Sequence, residues 1–233
     1  MLGLYIGIIL LLNIPYVQHR MSVLVAKELS TVLGSELTVG RINIGLLNRI
    51  IIDDLVLNDQ SGKELLKIGR LSAKFEILPL FSGKISIGNV QLFSFNANLE
   101  RPTPQASTNF QFVLDAFASK DTVKKKSNLD LRINSLLIRR GKVSYDVLSA
   151  ESTPGKFNPQ HIRLSNILAN ISLKALQNDS VNAAIKRMSV EEEHSGFELK
   201  KLSLKIIANN RKMRIENLSL IHISEPTRRR GIS

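Results

Sequence analysis

Four histidines, twenty carboxylates and no cysteine are the residues from which this chain could build bond chemistry. Their spacing argues against it. His161 and His194 stand alone, without HExxH or any other metal-ligand spacing; His19 borders an apolar segment and His222 lies in the C-terminal tail. Asp53-Asp54 falls between two alternating apolar runs, where turn or bulge chemistry accounts for it. Glu191-Glu192-Glu193 reads as a charge run in a loop. No glycine-rich phosphate loop, GxSxG elbow or kinase signature occurs. The expectation is a protein that is not an enzyme, with no cofactor and no metal. The absence of cysteine excludes disulfides and thiolate metal sites and leaves the compartment open.

What the sequence does repeat is apolar. Positions i, i+2, i+5 and i+7 are apolar in Leu37-Val39-Ile42-Ile44, Ile50-Ile52-Leu55-Leu57, Leu66-Ile68-Leu71-Ala73 and Ile85-Ile87-Val90-Leu92. The spacing returns in Leu131-Ile133-Leu136-Ile138, Ile162-Leu164-Ile167-Ala169 and Phe197-Leu199-Leu202-Leu204. Each half alternates with period two, as a strand with one apolar face does. The two-residue step between halves (Gly88-Asn89, Asn134-Ser135, Ser165-Asn166, Lys200-Lys201) would turn the second half to the other face of a regular strand. A β-bulge absorbs the extra residue, keeps the four side chains on one face and adds twist. The expected fold is mainly β: a long, curved antiparallel sheet, an open groove with one apolar concave face. From the pattern alone, the closed core of a β-sandwich or barrel is the competing reading.

Aromatic residues make up only 5% of the chain and tryptophan is absent, so that face is aliphatic. The net charge of +12 is carried largely at alternate, outward strand positions such as Arg41, Lys67, Arg70, Arg132, Arg163 and Lys205. Nucleic-acid binding would want basic residues clustered with stacking aromatics, and none are, so no nucleic-acid partner is expected.

The elements that position this face follow in order. Residues 1–18 open with Leu4, Ile6, Ile8, Ile9, Leu10, Leu11 and Leu12, closed by Asn13 and Pro15. They read as a truncated transmembrane signal anchor, a little short of the roughly 20 apolar residues a spanning helix needs. Residues 19–34 read as an amphipathic helix with Val17, Met21, Leu24, Val25, Leu29 and Val32 on its stripe and Gly34 as C-cap, placed to plug the sheet's first edge. A first groove section spans 35–100, with Ile77 to Gly83 as a short connection. A linker follows at 101–128, broken by Pro102 and Pro104, with a short helix at 109–119 that lies in the concave face or caps one end, and a charged run through Lys124-Lys125-Lys126. A second section spans 129–217. Leu218 to Arg228 resembles the translation of a transposase-type sequencing adapter, so residues 218–233 are expected to be foreign to the natural chain, which would continue past Asn217. An eighth copy of the spacing, Met213-Ile215-Leu218-Leu220, is discounted for that reason.

The order of anchor, helix and strands, with Ile14-Pro15-Tyr16-Val17-Gln18, Leu37-Thr38-Val39-Gly40-Arg41 and Ile52-Asp53-Asp54-Leu55-Val56-Leu57, resembles the start of the AsmA-like superfamily. The stretch from Leu66 to Leu99, with Leu78-Pro79-Leu80 and Ile87-Gly88-Asn89-Val90, is most similar to its TamB branch. The resemblance implies a single-pass inner-membrane protein of a Gram-negative bacterium, most of it in the periplasm as a β-groove for phospholipids moving toward the outer membrane. It also implies a possible Omp85-type barrel partner and a role in outer-membrane protein assembly. The groove would be lined by Val39, Ile42, Ile52, Leu55, Ile68, Leu71, Ile85, Ile87, Val90, Leu92, Leu131, Ile133, Leu136, Ile138, Ile162, Leu164 and Ile167. An acyl chain of about sixteen carbons costs on the order of 10 kcal/mol to leave in water, at about 0.8 kcal/mol per methylene, and an aliphatic groove removes most of that without specific contacts.

Overall fold

The computed structural model describes residues 2–45, 48–76, 86–117, 132–153, 155–177, 180–209 and 212–224. Two helices, α1 (Leu2–Leu12) and α2 (Pro15–Leu33), lead into strands β1 (Leu37–Gly45), β2 (Arg49–Asn58), β3 (Glu64–Glu76) and β4 (Ser86–Arg101). A short helix, α3 (Gln111–Phe117), precedes β5 (Arg132–Val147), β6 (His161–Gln177), β7 (Ser180–Glu192), β8 (Phe197–Asn209) and β9 (Met213–Ser224). All nine strands form one sheet in sequence order. The chain is therefore mainly β, and its sheet is not closed: β1 and β9 are its two edges. The closed-core reading fails on that point.

The sheet is mixed, which corrects the antiparallel expectation. β4 and β5 pair in parallel, Ile87 with Ile133 through Arg101 with Val147. Parallel neighbours need a crossover of a dozen or more residues, and residues 102–131 supply one. Pro102 and Pro104 end β4, α3 follows, and β5 begins beside the start of β4, Arg132 opposite Ser86. A second correction concerns the C-terminus: the strand expected to stop at Asn217 runs on to Ser224.

The two-residue step is what shapes the strands. Asp54, Ser94, Arg140, Asn166 and Asn217 all adopt left-handed backbone, with φ between 51° and 55°. Each is the second residue of a step. One such residue reverses the pleat, so the following side chain returns to the face the preceding ones occupy. The discounted eighth copy obeys the same rule through Asn217. In β4 the expected step at Gly88 is a bulge, Gly88 being extra between Ile87 and Asn89, which pair with the consecutive Phe75 and Lys74. A further step follows at Phe93-Ser94, and β5 carries one at Arg139-Arg140, beyond the copies expected there. β7 contains a copy not anticipated, Ala183-Ile185-Met188-Val190, with its irregularity between Ile185 and Met188.

Steps on adjacent strands crowd one another, and glycine relieves it. A Cβ on Gly40 would lie 3.0 Å from the Cβ of Asp54 and 3.2 Å from the Asp53 carbonyl oxygen. At Gly141 the Phe95 ring fills the space that a Cβ would need.

With the pleat reversed at each step, apolar positions align from strand to strand. One row crosses the whole sheet: Ile42, Ile52, Leu71, Leu92, Ile138, Ala169, Met188, Leu202 and Leu220 are successive register partners. A second links Ile44, Ile50, Ala73, Val90, Leu136, Ile171, Ile185 and Leu204. Nine strands at about 4.8 Å spacing make the first row about 38 Å long.

α2 runs along the free edge of β1. The Ser30 hydroxyl accepts the Leu37 N–H (2.9 Å) and donates to the Leu37 carbonyl (3.3 Å). Asn13 Nδ2 donates to the Ile44 carbonyl at 2.7 Å, and Gln18 Nε2 to Asn43 Oδ1 at 2.6 Å. The edge is thus covered as expected, but by a different side of the helix. Gln18, Ser22 and Leu33 are the buried residues, whereas Leu24 and Val32 of the expected apolar stripe are exposed. Edge carbonyls and N–H groups need polar partners, and that requirement overrides apolar patterning here. Gly34 caps α2 in left-handed backbone. Beyond it, Leu33, Leu37, Leu57 and Leu65 form a cluster on which α3 packs through Phe112, Val113 and Ala116. α3 therefore caps one end of the apolar face.

The expected anchor is not a single helix. α1 ends at Leu12, Asn13-Ile14 break the path, and Pro15 starts α2. Eleven residues rise about 16 Å, roughly half a hydrocarbon core. Among the described residues no helix is long and apolar enough to cross a membrane. Ile6, Leu10 and Leu11 are exposed. The 77–83 connection, most of the charged linker and groove positions Ile85 and Leu131 lie outside the described residues.

If Gly141 must leave room for Phe95, Gly141→Ala should lower the free energy of unfolding by about 1–3 kcal/mol through overpacking. Urea denaturation measures this directly, and an unchanged midpoint would show the ring to be freely displaceable.

Candidate functional site

Among the described residues, the apolar rows carry no second layer over most of their extent. Every pair of elements in substantial contact is either a pair of adjacent strands or involves the N-terminal helices and α3. On the row side Ile42 is 3% exposed, Ile68 5% and Ile167 7%. Ile52, Leu71, Leu92 and Ile138 are half-buried, while outward Arg41, Lys67, Arg70, Arg139 and Lys142 are exposed.

The structure brings the expected groove residues together in these rows. Ile42, Ile52, Leu71, Leu92 and Ile138 share the long row; Val90 and Leu136 share the second; Val39, Leu55 and Ile68 are consecutive partners in a third. Leu164 pairs with Val143, Ile162 with Tyr145 and Ile167 with Gly141. Ile87 and Ile133 are partners in the parallel register. Ile167, Val190 and Leu199 form a buried cluster against which Phe95, Ile138 and Leu202 pack. Members that the sequence reading missed include Phe95, Val143, Ile171, Ile185 and Met188. For β7 the signal was present in the same spacing.

A buried charged residue interrupts the inner face. Glu192, 2% exposed, pairs in register with Leu164 and Phe197. Its carboxylate accepts hydrogen bonds from the N–H groups of Arg163, His194 and Ser195 and from the Ser195 hydroxyl. Burial pushes its pKa up, but these donors outweigh burial and leave it below the ordinary value. It closes a turn, and its oxygens are committed to that turn. Asp53 and Asp54 are likewise structural: Asp54 makes the left-handed step and Asp53 accepts from Arg70 Nε at 2.6 Å.

At the same end of the sheet, Asp146 bridges two cations. Arg163 reaches one carboxylate oxygen at 2.8 Å and His161 Nδ1 the other at 2.9 Å. His161 Nε2 faces the Ala150 carbonyl oxygen at 3.0 Å, so both ring nitrogens meet acceptors and the arrangement suits imidazolium. The bond to Asp146, then that to Ala150, raises the His161 pKa above its ordinary 6.5. Burial raises Asp146, but the bonds from Arg163 and His161 prevail and hold it below its ordinary value. Among the described residues no group of three or more His, Asp or Glu is placed to hold a metal ion.

No family model matches this chain, and no curated protein matches it either.

The His161–Asp146 pair carries a definite pH dependence. A raised histidine pKa contributes stability that is complete below about 6.5 and is lost as pH rises through the folded value. Against His161→Asn, the native chain should hold a stability advantage at about pH 5.5 that shrinks by about pH 8.5, either side of the imidazole range. Urea midpoints of the two proteins at both pH values check this; an advantage that grows with pH would contradict it.

Proposed function

We propose that this chain is a section of an open β-groove that shelters the acyl chains of phospholipids and lets them move along it between membranes. The observation that carries the reading is the row of eight apolar register partners from Ile42 to Leu202, on a face that the described residues leave without a covering layer over most of it. A lipid chain in such a groove regains on the order of 10 kcal/mol of transfer free energy, at about 0.8 kcal/mol per methylene. Aliphatic walls offer no directional contact to hold it at one place, so motion along the row costs little. The buried carboxylate on that face is tied up by its own turn.

The resemblance to the TamB branch of the AsmA-like superfamily supports the same reading and adds the setting: the inner membrane, the periplasm and transfer toward the outer membrane. In that setting the exposed Leu10, Leu11 and Ile14 at the α1–α2 junction would meet lipid.

A second reading rests on the sheet edges. α2 covers β1, while among the described residues β9 borders no further strand, and Met213, Ile215 and Leu218 on it are 52–70% exposed. An open edge can accept a strand, which suits an assembly factor for outer-membrane proteins working with an Omp85-type barrel.

Site-specific photo-crosslinking separates the two. With benzoylphenylalanine at Leu92 or Ile138, the groove reading expects covalent capture of phospholipid from vesicles, with little capture from outward Lys142. Capture of protein only, and only from β9, would favour strand addition and remove the conduit.

A further inference from the structure

The outer face carries one feature that neither the groove nor the fold explains. At the left-handed position of each step the chain uses residues that tolerate it: Asp54, Asn166 and Asn217 have short side chains that bond locally, and Ser94 is small. Arg140 is the exception, a long cationic side chain held at φ 54°. Strain kept where a cheaper residue would serve points to use of the side chain.

The surroundings show what that use would be. Arg140 lines an outer-face concavity of about 500 Å³ together with Phe93, Arg139, Asn166, Leu168 and Ser189. That volume falls within the range of small-ligand sites. The step turns Arg139 and Arg140 outward side by side, and the Arg139 guanidinium lies 5.9 Å from the centre of the Phe93 ring. Arg70 is neutralised by Asp53 and Arg163 by Asp146. Among the described residues no carboxylate lies within ion-pair distance of Arg139 or Arg140. The nearest element of opposite charge at this rim, Glu191, is bonded to Asn166 Nδ2 at 2.6 Å. Two adjacent arginines in one concavity, without a carboxylate partner among the described residues, suit a tetrahedral oxyanion, and Phe93 and Leu168 add apolar surface to the same lining.

We propose that this concavity is a binding site for a phosphate group, with Arg139 and Arg140 gripping the oxyanion and Phe93 and Leu168 supporting an apolar neighbour on the same ligand. It lies on the face opposite the apolar rows and stands whether or not those rows carry lipid. The phosphate could belong to a lipid headgroup or be free in solution, and the two sources are separable.

Isothermal titration of the full chain with inorganic phosphate, with dihexanoyl phosphatidic acid and with dihexanoyl phosphatidylcholine, each below its micellar concentration, tests the site. Binding of phosphatidic acid more tightly than inorganic phosphate would assign the site to a lipid headgroup; equal binding would assign it to phosphate itself. Arg139→Gln and Arg140→Asn should each weaken binding about tenfold or more, the loss expected for one charge-assisted contact. Arg140→Asn should at the same time leave the thermal midpoint unchanged or raise it, because asparagine relieves the backbone strain. Absence of binding by all three ligands, equal affinity in both variants and native chain, or a fall in thermal midpoint for Arg140→Asn would each overturn the proposal.

Discussion

A strand shows alternate side chains to opposite faces, and everything in this molecule depends on how that rule is broken. Five strands, β2, β4, β5, β6 and β9, carry an apolar run on one face together with an insertion that would flip half of it outward. A single left-handed residue, at Asp54, Ser94, Arg140, Asn166 or Asn217, restores the face. Without it, Leu55 and Leu57 would point with Arg41 and Arg70 into solvent. The reversal also bends the strand, so the device that keeps the face apolar is the one that curls it.

Several features follow from that constraint. Gly40 and Gly141 leave space where neighbouring steps or side chains approach too closely. The apolar positions fall into rows that continue across the parallel β4–β5 junction without loss of register. Among the described residues the face carries no second layer of strands, although sheets ordinarily pack against one. α2 and α3 add cover only at the first edge and one end, through Ser30, Asn13 and the Leu33–Leu37–Leu57–Leu65 cluster.

Much of this was legible in the sequence because the spacing encodes both period and step. Strands β1 to β3 each contain one of the first three copies of the spacing, and the groove residues that the structure describes do fall on shared rows. Three things were not legible, each for a physical reason. Strand direction is set by the crossover, and nothing in the alternation of β4 or β5 distinguishes a parallel from an antiparallel neighbour. The buried side of α2 is chosen by the hydrogen-bond demand of the β1 edge, which a hydropathy stripe does not register; hence Gln18 and Ser22 are inside and Leu24 outside. The copy in β7 escaped notice because Ala183 and Met188 weaken its apolar contrast, although their positions keep the spacing. The helical anchor reading relied on composition, and Asn13 and Pro15 divide that segment.

The central claim is that the uncovered rows give an acyl chain a continuous apolar path. The most direct measurement is the rate at which a fluorescent phospholipid passes from donor to acceptor vesicles in the presence of the chain. Leu92→Asp puts a charge in the middle of the longest row, and circular dichroism confirms that the sheet persists. The account predicts that the native chain accelerates transfer and that Leu92→Asp cuts the accelerated rate about tenfold or more, since an acyl chain must then pass a solvated carboxylate. Equal rates for the two proteins, with the sheet intact in both, would contradict it.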